Sequence, residues 1–288
     1  MKTAKVKFLI LLGTSLFFCK NLTANAGNGI SYNPYLSLPL TTAAATTFLS
    51  FSLLEDKLAP RKCRWCDRNA QGLDDLNGFD SSIRKNLKWA HQDLASKLSH
   101  LTAFGLLPLG IISAEFWMSE APAHWDRFVT DSLIIFEATS IAGVIGSGVQ
   151  FAVGRERPYA HDLPAAERLR LPDSRNTSFY SGHANLAFAL VVSSGTLATI
   201  RNDSLAPYLW TGGLILAGTT AYLRIASDRH YATDVIAGAA AGSLIGFSVP
   251  YFLHREVKYS TEKKSMNLMN LGILPTTSGM MAEAEWRF

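Results

Sequence analysis

Three short runs hold the side chains with most chemistry to offer: Arg157-Pro158, Ser181-Gly182-His183, and Arg224 followed six residues later by His230 and then by Asp234. Together they supply two imidazoles, a carboxylate, two permanently charged guanidinium forks and a glycine. His230 and Asp234 stand four apart, the spacing that stacks side chains on one face of a helix. Asp234 is therefore expected to accept a hydrogen bond from one ring nitrogen and leave the other basic. An imidazole oriented in this way is a competent nucleophile or base near neutral pH. Ser181-Gly182 precedes an apolar run, which predicts a helix start whose free N–H groups favour an anion, and Gly182 lets that anion approach closely. Arg157 and Arg224 match the oxygens of a phosphoryl group, and His183 is suited to protonating a departing oxygen.

Each piece alone has an ordinary reading. A His and an Asp four apart are usually a surface pair, Arg-Pro after an apolar helix is a stop signal, and Ser-Gly is a turn or a cap. What favours chemistry is their joint placement. All three runs fall at the ends of apolar segments, in an order that lets them converge on one phosphate-sized site.

These residues resemble the three signature motifs of the type 2 phosphatidic acid phosphatase and vanadium haloperoxidase superfamily, whose pattern is Lys-x6-Arg-Pro, Pro-Ser-Gly-His and Ser-Arg-x5-His-x3-Asp. The resemblance covers about residues 98–254, and the third motif is its most specific part. It implies that His230 attacks phosphorus to form a phosphohistidine, that Asp234 orients it and that His183 is the leaving-group acid. Arg157, Ser181, Gly182 and Arg224 would hold the phosphate oxygens. Three positions depart from the pattern: Gln150 stands where Lys is expected, Tyr180 where Pro is, and Leu223 where Ser is. Gln150 can donate a hydrogen bond but brings no charge, which removes one electrostatic partner of the transition state. Arg155, inside Gly154-Arg155-Glu156-Arg157, is the candidate for partial compensation; the alternative is that it pairs with a carboxylate on the loop.

By that resemblance the chain is expected to be a metal-independent phosphomonoesterase with no cofactor, acting on a phosphorylated lipid or another phosphomonoester. Two alternatives stay open. One is a vanadate-dependent haloperoxidase, because a pocket that binds phosphate also binds vanadate. The other is a non-catalytic membrane protein that retains the fold.

Composition narrows the setting. Residues 1–26 begin with Lys2, Lys5 and Lys7, continue through an apolar stretch and reach Ala24-Asn25-Ala26, the layout of an export signal. The net charge of +4 comes from 27 basic and 23 acidic residues. Four of those lysines and no acid lie in residues 1–26, so the remainder is balanced and gives no reason to expect a nucleic-acid partner. Cys63 and Cys66 form a CxxC for which a local disulfide is the default in an exported chain, and Cys19 lies in the signal.

The elements that must position the motifs read as helices. An all-α bundle of about five or six apolar helices is expected, with a short C-terminal β-hairpin where Ala282, Ala284, Trp286 and Phe288 alternate with charged residues behind a Thr-Thr-Ser-Gly turn. The divisions are a signal at 1–26, an exported segment with the CxxC and an amphipathic helix at 27–97, the core at 98–254 and a tail at 255–288. Ile83, Leu87, Ala90, Leu94, Leu98 and Leu101 recur with helical period and mark that amphipathic helix. Further apolar segments follow at 129–153, 184–200, 207–225 and 234–254. Between two motifs, residues 154–182 read as a long substrate-entry loop, with His161 in it without an assigned role.

Several segments reach the roughly 20 residues needed to cross a bilayer, although the mean hydropathy is only +0.11. The expected location is a bacterial cell envelope, membrane-associated, with the site facing the periplasm. That orientation holds if the segment 35–54 does not span; if it does, the site turns to the cytoplasm. The basic tail His254-Arg255, Lys258 and Lys263-Lys264 would then fall inside in the first case, as the positive-inside rule prefers.

Overall fold

The computed structural model describes residues 29–256, 271–276 and 279–284. The expected signal at 1–26 lies outside the described residues, as do Trp286 and Phe288. Residues 29–256 form one compact unit. In the second unit the backbone of β1 (Leu271–Thr276) pairs antiparallel with β2 (Gly279–Ala284). The expected C-terminal β-hairpin is not supported as a folded element, since one two-stranded pairing is marginal by itself, and no sheet is found among residues 29–256.

The helical unit runs back and forth between two ends. α1 (Pro34–Leu53) starts behind the Asn33 cap, whose side chain accepts from the Tyr35 N–H at 3.1 Å. α2 (Gly78–Leu87) starts behind Asn77, which accepts from Asp80 N–H at 2.9 Å. α3 (Gln92–Leu101) continues through a π-helical turn, Thr102–Leu106, into α4 (Leu107–Met118). α5 (Trp125–Val153) ends at Gly154, whose φ of +63° is the left-handed conformation that glycine adopts without strain. α6 (Gly182–Ile200), α7 (Ala206–Ala226) and α8 (Ala232–Ser248, prolonged by a π turn to His254) complete the bundle.

Two expectations change here. The periodic run from Ile83 to Leu101 is two helices, broken where Lys88 turns extended and the Trp89 N–H donates to Ala226 O at 2.9 Å. On α3, Leu94 and Leu101 are exposed, while Ala95 and Ser99 are buried. The stretch 154–182 is not structureless either. It contains the short helices Pro158–His161 and Ala165–Arg168 and a 3₁₀ turn, Asp173–Asn176.

α6 is the most enclosed helix, and α8 lies against it through Gly238, Gly242 and Gly246. A Cβ at these positions would overlap the backbone of Ser181, Asn185 and Ala189. This close approach fixes how the two helices line up and sets their N-termini side by side, so that the Ser181 N–H donates to Asp234 O at 2.9 Å. Five stretches are long and apolar enough to cross a membrane: Pro34–Leu53, Gln92–Met118, Trp125–Val153, Gly182–Ile200 and Ala232–His254. They expose large apolar side chains such as Leu53, Leu109, Trp117, Phe136, Leu244 and Phe252. An apolar exterior around buried polar groups is the arrangement of a membrane protein.

Candidate active site

The three motifs meet at one end of the bundle, around a cavity of about 340 Å³. Gln150 at the end of α5, Arg157 from the following loop, Gly182 and His183 from α6, Arg224 from α7 and His230 line its polar part. Towards the long apolar helices the wall becomes apolar, with Phe48 and Phe51 of α1 and Phe104 and Leu186 opposite.

His230 does not sit on a helix. It precedes Tyr231, which caps α8, so the expected stacking of Asp234 beneath it on one helical face does not occur. The His230 Nδ1 hydrogen bond goes to the carbonyl oxygen of Ser178 at 2.8 Å, while Asp234 Oδ2 stands 3.9 Å away. Because a carbonyl only accepts, Nδ1 carries the hydrogen and Nε2 keeps its lone pair. Asp234 reaches His230 at one remove. Its Oδ2 accepts from Ser178 Oγ at 2.6 Å and from the Tyr231 N–H at 2.9 Å, locking the residue whose carbonyl orients the ring. Burial pushes the His230 pKa well below the ordinary histidine value, and the positive charges of Arg157 and Arg224 push it further; the Ser178 bond opposes them. His230 is therefore neutral at physiological pH.

Arg155 is not a substitute for the missing lysine. It is fully buried, does not line the cavity, and its guanidinium is spent on three carboxylates: Asp67 at 2.9 Å, Asp80 at 2.9 Å and Asp234 at 2.7 Å. Thr233 Oγ1 accepts from it at 2.8 Å, and the rings of Trp65 and Tyr231 sandwich it at 4.1 Å on each side. Such a hub holds Asp234 in place rather than a substrate oxygen. Trp65 belongs to the loop closed by the Cys63–Cys66 disulfide, and Glu156 N–H donates to its carbonyl at 3.0 Å, so that loop clamps the Arg155–Arg157 segment.

The remaining expected residues divide. Arg157 faces the cavity, with its Nη2 donating to Thr177 Oγ1 at 2.9 Å and to Glu55 Oε1 at 3.3 Å. Arg224 is buried; its Nη1 donates to Ser99 Oγ at 3.1 Å, and its Nε has no partner among the described residues. Ser181 is turned away. It is fully buried, caps α6 and is absent from the cavity wall. Gln150 donates to the Tyr180 carbonyl at 2.8 Å, and so supports the Ser181-Gly182 turn as well as bordering the cavity. His161 lies apart from the site and is held by Asp74 at 2.9 Å.

The structure adds residues that the motifs did not point to: Glu55 opposite Arg157, Ser178 beneath His230, Arg229 on the wall, and His100, whose Nδ1 is 3.0 Å from His183 Nε2. One signal for His100 was present. Ser96, Ser99 and His100 form a polar stripe at i, i+3, i+4 on α3, on the face opposite Leu94, Leu98 and Leu101. Of the two stripes, Ser99 is buried and His100 reaches the cavity, while Leu94 and Leu101 are exposed and Leu98 packs against Ala95 and Leu223.

The segment that carries this site is similar to known proteins. Residues 131–258 match the family model described as the PAP2 superfamily. The chain is 38% identical over 79 residues to a lipid A 1-phosphatase of Porphyromonas gingivalis, covering 27% of this chain and 17% of that protein. It is 31% identical over 130 residues to an undecaprenyl-diphosphatase of Sulfolobus acidocaldarius, covering 41% of this chain and 59% of that one. The match thus spans well under two thirds of either relative. A crystal structure of a transmembrane PAP2-type phosphatidylglycerolphosphate phosphatase from Bacillus subtilis aligns with a TM-score of 0.43 and 15% identity, over 75% of this chain and 94% of that chain.

Proposed function

We propose that this chain is a phosphatase of lipid phosphates that works through a phosphohistidine and needs no metal. The observation that carries the reading is a buried Arg224 without a carboxylate partner among the described residues, beside a neutral His230 whose Nε2 lone pair is free. A buried cation left without a counterion is stable only where an anion completes it. His230 Nε2 bonds to phosphorus as the ester P–O bond breaks, and His183 gives a proton to the departing oxygen. Water then attacks the phosphohistidine, the P–N electrons return to Nε2, and the water proton passes to His183. Arg157 and Arg224 hold the phosphoryl oxygens through both steps, a role that guanidinium groups fill without a metal. Lipid is favoured because the cavity runs from these cations to Phe48, Phe51 and Phe104 on helices that cross the membrane, and because both curated relatives are named for lipid substrates.

The site is proposed to face the exported side. α1 begins at the end of the bundle where the Ser31 N–H meets His254 O at 2.7 Å and finishes at the other end, where Glu55 meets Arg157. Residue 29 and the site therefore lie at opposite ends, so an exported site and a cleaved signal at 1–26 exclude each other if α1 crosses the bilayer. The Cys63–Cys66 disulfide lies at the site end, and disulfides persist in oxidising compartments. A reporter fused after Asn202, at the other end, should read as cytoplasmic; an exported reading reverses the orientation.

The activity is tested by assaying the purified protein against a panel of lipid phosphates in EDTA, beside His230→Ala. Turnover that survives the chelator and vanishes in the variant is expected. Activity abolished by EDTA contradicts the metal-free route, and no hydrolysis of any phosphomonoester contradicts the function.

A further inference from the structure

The leaving-group acid proposed above does not stand alone. His183 Nε2 and His100 Nδ1 are 3.0 Å apart, with ring centroids 4.6 Å apart. Phe104 lies against both rings, 5.0 Å from His183 and 6.0 Å from His100. The two imidazoles reach the same cavity from different helices, α6 and α3. Two imidazole nitrogens at this distance share one hydrogen, so one ring donates and the other accepts. The charged and titratable groups that share this cavity with the pair are Arg157, Arg224, Arg229, His230, Glu55 and Tyr159. Four of these are cationic or can become so, and a phosphate dianion that enters the cavity offsets their charge.

We propose that His100 is a positioning residue that supplies the leaving-group proton through His183, an inference that rests on the phosphatase reading of the same site. Substrate binding brings one proton onto the pair, with His100 as the protonated ring. As the P–O bond breaks, His183 releases the hydrogen on its Nδ1 to the departing oxygen while its Nε2 receives the one on His100 Nδ1, so His100 ends neutral. In the second half-reaction the hydrogen lost by the attacking water returns to the pair. His100 is exposed where His183 is partly covered, so it also links the acid to solvent. The nearest precedent in physical terms is a neutral imidazole relaying a proton between its two nitrogens.

The test compares His100→Ala and His100→Gln with wild type on two esters. An alkyl phosphate needs its departing oxygen protonated, whereas p-nitrophenyl phosphate has a leaving group stable as an anion. Loss of about tenfold or more in kcat on the alkyl ester is expected, the low end of general-acid effects, with the aryl ester within about twofold and the basic limb of the alkyl pH profile displaced to lower pH. Equal losses on both esters, or none on either, would overturn the proposal. A wild type inactive on both would instead sink the phosphatase reading. Calorimetry of inorganic phosphate binding, run in two buffers of different ionisation enthalpy, reads the same proton without turnover. Wild type should take up more protons than His100→Ala, and identical uptake would count against the pair.

Discussion

Arg155 and Arg224 are both buried arginines at the same end of the bundle, and they are held in opposite ways. Arg155 is matched by Asp67, Asp80 and Asp234 and covered by two aromatic rings. Arg224 has the hydroxyl of Ser99 and a free Nε among the described residues. A guanidinium saturated by carboxylates is architecture, because it has no capacity left for a ligand. One that faces a cavity undersupplied with negative charge is a binding group. The distinction assigns roles that motif position alone does not, since Arg155 is only two residues from Arg157 and is used for something else.

The same substitution at the two positions should separate them. Arg155→Met strands three buried carboxylates and is expected to lower stability by about 3–5 kcal/mol, the range for breaking buried ion pairs, seen as a large fall in Tm in detergent. Arg224→Met removes a cation that nothing balances. It should leave Tm unchanged or raised while cutting turnover by about 10²–10³, the size of effect found on losing one transition-state donor. If both variants lost stability alike, the contrast between scaffold and binding arginine would be wrong.

Inorganic phosphate sharpens the contrast. It should raise the Tm of wild type in proportion to its occupancy and do so far less for Arg224→Met. A smaller effect concerns pH. Because burial and the two arginines hold the His230 pKa low, the free enzyme keeps its nucleophile deprotonated below the ordinary histidine value of about 6.5. The acid limb of kcat/KM should therefore lie under that pH and move up in Arg224→Met, where one repelling charge is gone; a downward move would contradict the assignment. The smallest effect is expected for Gln150→Ala. It leaves the Tyr180 carbonyl without its donor, which costs about 1–3 kcal/mol and loosens the Ser181-Gly182 turn, read as a modest drop in kcat and Tm together.

The cavity-lining residues Arg157, Gly182, His183, Arg224 and His230 were legible because local spacing and apolar punctuation mark where helices end. Roles that depend on distant partners were not. Asp67 and Asp80 meet Arg155 across more than seventy residues of chain, and no local pattern ties them together. The helical pairing of His230 with Asp234 failed because the helix begins two residues after His230, at Ala232, and a tertiary contact from Ser178 takes the ring nitrogen instead. The leucine stripe of α3 was legible only as an apolar face, because its spacing does not say what surrounds that face.

The most direct test is to quench the reaction with a labelled lipid phosphate under alkaline conditions, where phosphohistidine survives, and to map the label. Stoichiometric label on His230, absent in His230→Ala and accumulating when water attack is slow, is the result the account predicts. Turnover without any covalent label, or label on another side chain, would contradict it.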